Sequence, residues 1–105
     1  MDVPEKILSQ LTAYSVVLYM KGTPQAPQCS FSGATVQILQ ACDVQDFASV
    51  DVLADSEIRD GIKAYSNWPS VVQLYIKGEF VGGADIVREM YEHDKLKKLL
   101  DSTVA

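Results

Sequence analysis

A single cysteine, Cys29, closes a Gly/Pro-rich loop that occupies residues 20–33 as MKGTPQAPQCSFSG. Upstream of the loop lies VVLYM, residues 16–20, a continuous apolar run of strand length. Downstream, Phe31, Thr35, Ile38, Leu39 and Cys42 recur at helical spacing. A sulfur at such a strand-to-helix junction lies beside the unpaired N–H groups of the helix's first turn. Their partial positive charge favours thiolate over thiol, which makes a nucleophile near neutral pH. Lys21, at the start of the loop, offers a second positive charge. Pro27, Gln28 and Ser30 are poor company for a buried side chain, so a reactive thiol is expected. Cys42 falls on the apolar stripe and is expected in the core.

Arg59 and Lys63 stand four apart and share a helical face. With Lys21 they are three of the nine basic residues of an acidic chain. A cationic rim near a thiol suits a small ligand with carboxylates to pair, although Lys63 taken alone reads as an ordinary solvated lysine. Asp85 follows Gly82-Gly83 and is expected at least partly as a helix N-cap. Its carboxylate could also hold a ligand ammonium group. Together these groups describe a zwitterionic peptide laid along backbone with both ends clamped. Trp68-Pro69 reads as a packing and turn element. His93, the only histidine, offers no evident base or metal ligand and is expected at the surface.

The elements that must position these residues follow from pattern. Asp2, Pro4 and Glu5 mark a helix start, and Ile7, Leu8 and Leu11 give an amphipathic first helix to about Thr12. The apolar run 16–20 lacks alternation, so both of its faces should be buried, as in a central strand. A second helix should run from the cysteine loop to residues 41–43, and 47–52 (FASVDV) is a second strand, parallel to the first. Asp55 or Ser56 caps a third helix with Ile58, Ile62 and Tyr65 as its stripe, stopped by SNWP. Residues 71–76 (VVQLYI) form a strand, Lys77-Gly78 a turn and 79–81 its hairpin partner. A fourth helix carries Ile86, Val87, Met90 and Tyr91 on one face. Asp94 caps a fifth, with Leu96, Leu99 and Leu100 inside and Lys95, Lys97 and Lys98 outside. The order predicts an α/β domain: a small mixed sheet with helices on both faces. The Cys29 loop, the turn before Val71 and the 82–85 corner should meet at one sheet edge, where ligands bind in such folds.

Composition sets the outer bounds. The 105 residues, 48% apolar and 22% charged, suit one domain over 1–105 with a real core. The two cysteines are too far apart for a C-x-x-C or zinc-knuckle motif, and so few cysteines suit a reducing, cytoplasmic setting. No signal peptide or membrane-length apolar run is visible. A net charge of −5 argues against general nucleic-acid binding.

The segments YMKGTPQAPQCSFSG, IRDGIKAYSNWPSVVQLYIKGEF and VGGADIV resemble those of monothiol glutaredoxins, and the similarity covers nearly the whole chain. The resemblance implies the thioredoxin-like glutaredoxin fold: a four-stranded mixed sheet of order 2-1-3-4 flanked by five helices. It implies glutathione as ligand and a [2Fe–2S] cluster bridging two protomers, a homodimer when loaded and a monomer otherwise. Carried over by position, Cys29 is the thiol and the cluster ligand. Lys21, Arg59 and Lys63 contact the glutathione carboxylates, Val71 pairs with its backbone, and Gly83, Ala84 and Asp85 bind its γ-glutamyl end. BolA-like proteins and iron–sulfur recipients are the implied partners, with no nucleic acid and no membrane.

Two positions depart from the family pattern. The CGFS motif reads CSFS here, with Ser30 for glycine. The WPT-x-P segment reads WPSVV, with Val72 where the family has a cis-proline. A cis bond before a residue other than proline costs about 3–4 kcal/mol, so a trans bond is expected before Val72, and with it a reshaped loop facing Cys29. Three functions follow from the resemblance: cluster storage and transfer, glutathione-dependent reduction of mixed disulfides by Cys29, or an interaction module that has lost both.

Overall fold

The computed structural model describes residues 2–44 and 47–101. In chain order the elements are α1 (Val3–Ala13), β1 (Val16–Met20), β2 (Gly22–Thr23), β3 (Ala26–Pro27), α2 (Ser30–Ala41) and β4 (Ala48–Asp51). There follow α3 (Ser56–Ser66), β5 (Gln73–Ile76), β6 (Glu79–Gly82), α4 (Ala84–Glu92) and α5 (Lys95–Asp101). The main sheet has the order β4-β1-β5-β6, with β1 parallel to β4 and antiparallel to β5. The parallel first pair and the antiparallel hairpin are those expected from the pattern, and the sheet order is the one the resemblance implies; β2 and β3 add a two-residue pairing inside the cysteine loop.

β1 is central, and all five of its residues are buried. Val16, Leu18 and Met20 join Val36 and Leu39 of α2, Val87 of α4 and Leu96 and Leu100 of α5 in one cluster. Val17 and Tyr19 face the other way, onto Ile7 and Leu11 of α1 and Ile58 and Ile62 of α3. Each such apolar side chain contributes about 1.5–3 kcal/mol by burial. α1 and α3 approach closely at Gly61, where a β-carbon would strike the Val3 side chain. The β5–β6 turn places Lys77 and Gly78 at φ 53° and 79°, the paired positive values of a type I′ hairpin.

The structure corrects several sequence expectations. β5 starts at Gln73 rather than residue 71, since its pairing with β1 ends where Gln73 meets Tyr19. Leu8, Phe31, Tyr65, Tyr91 and Leu99 are exposed rather than internal. In α2 the inward stripe is Ser32, Thr35, Val36 and Leu39, so Phe31 in the first turn faces outward. Asp85 is not the cap of α4; Gly83 is, with no side-chain cap bond, and Asp85 stands in the first turn. Asp94, before α5, has a left-handed φ of 59° rather than the extended backbone of a capping residue. The peptide bond before Val72 is trans, as expected.

Asp2 and Asp55 cap α1 and α3 through their side chains. Asp55 also accepts a 2.8 Å bond from Lys6 Nζ and so ties the two helices together. That bond, the Ile58 N–H, the Lys6 charge and the Glu57 N–H hold its carboxyl below the ordinary value of 3.8, against a smaller opposing push from burial. A depressed folded pKa contributes stability above the unfolded value, and this is lost as pH falls through the folded one. Asp55→Ala should therefore lower the melting temperature at neutral pH. The gap to the parent should close in acid below pH 3.8. Melting curves across that range check it, and a gap independent of pH would show that the ionised carboxylate is not what stabilises α3.

Candidate functional site

The cysteine loop leaves β1 at Lys21 and is fixed through its backbone. The Lys21 N–H donates to Ser32 Oγ at 3.0 Å, and its C=O accepts from the Gln28 N–H at 2.9 Å. The next amide, Gly22 N–H, donates to Asp51 Oδ1 at 2.9 Å, and the same oxygen takes the Leu53 N–H. Gly22 has φ 87°, and a β-carbon there would lie 2.6 Å from the Ala26 carbonyl oxygen. Only glycine satisfies both conditions without strain.

Cys29 is the N-cap of α2, with extended backbone (φ −155°, ψ 146°). Its Sγ accepts from the Ser32 N–H at 3.5 Å and from the Ser32 hydroxyl at 3.6 Å. Burial pushes the thiol pKa up. The two Ser32 bonds, the Phe31 N–H and the Lys21 charge outweigh it and leave the thiol below its ordinary value of 9.0. Ser30, the first residue of α2, is exposed. Cys42 is free and buried at the far end of the same helix, and there burial pushes the thiol up.

Cys29 opens onto a cavity of about 200 Å³ lined by Lys21, Phe31, Trp68, Ser70, Val71, Val72 and the start of α4. The chain turns into α4 at Gly83, where a β-carbon would stand 2.8 Å from Trp68 Nε1 and 3.2 Å from the Val72 carbonyl oxygen. Gly83 thus seats the first turn of α4 against the residues before β5. Two helix starts, of α2 and α4, converge on one groove, and their unpaired N–H groups favour negative charge there. Asp85 sits at the α4 end and Lys21 at the thiol end.

Six of the residues singled out in the sequence therefore line one cavity: Lys21, Cys29, Val71, Gly83, Ala84 and Asp85. Arg59 and Lys63 on α3 are not in that lining. Both are part-exposed, and Arg59 lies 3.5 Å from its neighbour Asp60. Trp68, expected only to pack, lines the cavity as well. Sequence reasoning passed over Ser32, Ser70 and Asp51. Only Ser32 carried a usable signal: it stands three residues after a capping position, where its N–H meets the cap. His93 is exposed at the end of α4, as expected. Among the described residues no group of three or more His, Cys, Asp or Glu side chains could hold a metal ion.

Fold and site together define a thioredoxin-like domain with one helix-capping thiol beside a groove that two helix starts share. A glutaredoxin family model matches residues 16–81, and the chain belongs to the glutaredoxin family. The relatives place it among the monothiol members. An uncharacterized monothiol glutaredoxin, ycf64-like, of Synechocystis sp. is 50% identical over 99% of this chain and 96% of its own. A probable monothiol glutaredoxin, GrlA, of Legionella pneumophila is 51% identical over 85% of this chain and 99% of its own. The solution structure of reduced apo GrxS14 from poplar superposes with a TM-score of 0.83 at 42% identity, covering 95% of this chain and 91% of that one.

Iodoacetamide should alkylate Cys29 in preference to Cys42, with an apparent pKa below the free value. Ser32→Ala removes the hydroxyl bond to sulfur and should raise that pKa. Mass spectrometry across a pH series reads both, and an unshifted pKa in Ser32→Ala would show that the hydroxyl does not stabilise the thiolate.

Proposed function

We propose that this protein is a monothiol glutaredoxin that binds glutathione in the Cys29 groove and holds a [2Fe–2S] cluster between two copies. The observation that carries the reading is the groove itself: a lowered-pKa thiol, a lysine, a backbone edge at Val71 and a second helix start share one cavity. Glutathione has the matching parts, a thiol flanked by two carboxylates and an ammonium group. In this reading Lys21, with Arg59 and Lys63 from α3, meets the carboxylates. Val71 pairs with the peptide backbone, and Gly83, Ala84 and Asp85 take the γ-glutamyl end. One Cys29 thiolate per chain, with no group of three or more His, Cys, Asp or Glu side chains able to hold a metal among the described residues, suits a cargo whose other ligands come from glutathione and a second copy. Handing that cargo to recipient proteins or BolA-like partners, in the cytoplasm, completes the proposal.

A second activity is favoured by the same lowered thiol pKa. The Cys29 thiolate would attack the glutathione sulfur of a mixed disulfide, and the substrate would leave as its thiolate. A second glutathione thiolate would then attack the glutathione sulfur on Cys29, giving oxidised glutathione and restoring the Cys29 thiolate.

Anaerobic reconstitution with iron, sulfide and glutathione should give a brown dimer by visible absorption and gel filtration, and Cys29→Ser should give neither colour nor dimer. A colourless monomer that turns over a glutathionylated substrate would leave only the second activity. A protein that does neither would be an interaction module. In the glutathione complex, charge-assisted bonds are worth about 1.5–3 kcal/mol each. Lys21→Ala should therefore weaken binding about tenfold or more, and more than Lys63→Ala. Equal calorimetric affinity in Lys21→Ala and the parent would remove Lys21 from the site.

A further inference from the structure

Gln73, the first residue of β5, is wholly buried although it is polar. Strand neighbours on either side of it are apolar: Val72, Leu74 and Ile76 enter one core cluster, Val71 and Tyr75 the other. A leucine or valine would be the simpler occupant, because a buried amide costs free energy unless both of its ends are bonded. Both ends are bonded here. Gln73 Nε2 donates to the Ser70 carbonyl oxygen at 2.9 Å, and Gln73 Oε1 accepts from the Tyr75 hydroxyl at 3.1 Å. The Ser70 carbonyl can only accept, which fixes the amide with its NH2 toward Ser70.

The geometry points to Gln73 as a positioning residue for the ligand-binding amide of Val71. A peptide unit is planar, and when trans its C=O and N–H point in opposite directions. The Ser70–Val71 bond is trans. Its C=O is drawn inward onto Gln73, so the Val71 N–H at the other end of the same plane turns away from Gln73, toward the groove that Ser70 and Val71 line. That N–H has no hydrogen-bond partner among the described residues. It is therefore held as an open donor in the cavity that Cys29 also lines. Gln73 never touches the ligand; it sets the plane of the peptide that does. The inference rests on the reading that an extended thiol peptide binds along Val71, and it adds the group that orients the edge it binds.

The orientation is testable in the parent alone. Residual dipolar couplings of the Val71 N–H should place that bond pointing away from the Gln73 side chain, and a vector directed into the sheet interior overturns the proposal. The functional arm uses Gln73→Met, which keeps length and apolar bulk and removes the amide. It should bind glutathione about fivefold or more weakly by calorimetry, with the Val71 N–H vector reoriented. The apparent pKa of Cys29 should be unchanged, since Ser32 and Lys21 lie on other elements. Loss of affinity with a shifted Cys29 pKa, or unchanged affinity, overturns the positioning role. Should Gln73→Met not fold, Gln73→Leu carries the same test: it is apolar and, like methionine, has no donor for Ser70. If the parent binds no glutathione, the functional reading fails. The Val71 vector in parent and variant then decides the Gln73 inference on its own.

Discussion

One hydroxyl group, that of Ser32, holds the reactive end of this molecule together. It is wholly buried, accepts from the Lys21 N–H and donates to the sulfur of Cys29. The end of the central strand and the start of α2 are thereby joined through a single oxygen. Because that oxygen is occupied on both sides, the lysine and the thiol cannot drift apart without leaving a buried polar atom unpaired, a cost of about 1–3 kcal/mol. The thiol therefore sits beside positive charge as a consequence of packing, without any direct bond between Lys21 and Cys29. Asp51 extends the same constraint outward by holding the next amide, that of Gly22.

Much of this was legible in the sequence because the informative signals were local. The unbroken apolar run of β1 announced a strand buried on both faces, and it is one. The Asp2 and Asp55 caps, the Lys77-Gly78 turn and the thiol at a helix start are all matters of a few adjacent residues, and each was found where expected. The failures share a cause. Leu8, Phe31, Tyr65, Tyr91 and Leu99 carry apolar side chains at helical spacing, and only the neighbouring elements decide which side of a helix is covered. Asp85 looked like a cap because it is acidic and follows glycines, but α4 begins one residue earlier.

The groove was legible as a set of chain segments and illegible as a set of contacts. That the cysteine loop, the residues before β5 and the 82–85 corner would meet followed from strand order. That Trp68 would close the cavity followed from nothing local. It depends on the approach of Gly83 to the indole and to the Val72 carbonyl, a contact between residues more than ten apart. Ser70 and Gln73 are invisible for the same reason, since their bond runs inside a turn whose shape is fixed by the strand it precedes.

The two thiols stand at opposite ends of α2, which runs from Ser30 to Ala41. Such a helix is about 18 Å long at 1.5 Å per residue, whereas a disulfide needs α-carbons within about 7 Å. No folded form of this chain can close Cys29 onto Cys42. Any disulfide at Cys29 must therefore borrow its second sulfur from another molecule. The oxidation state of the protein is then set by whichever thiols surround it, and a rigid helix serves as insulation between the exchanging sulfur and the silent one.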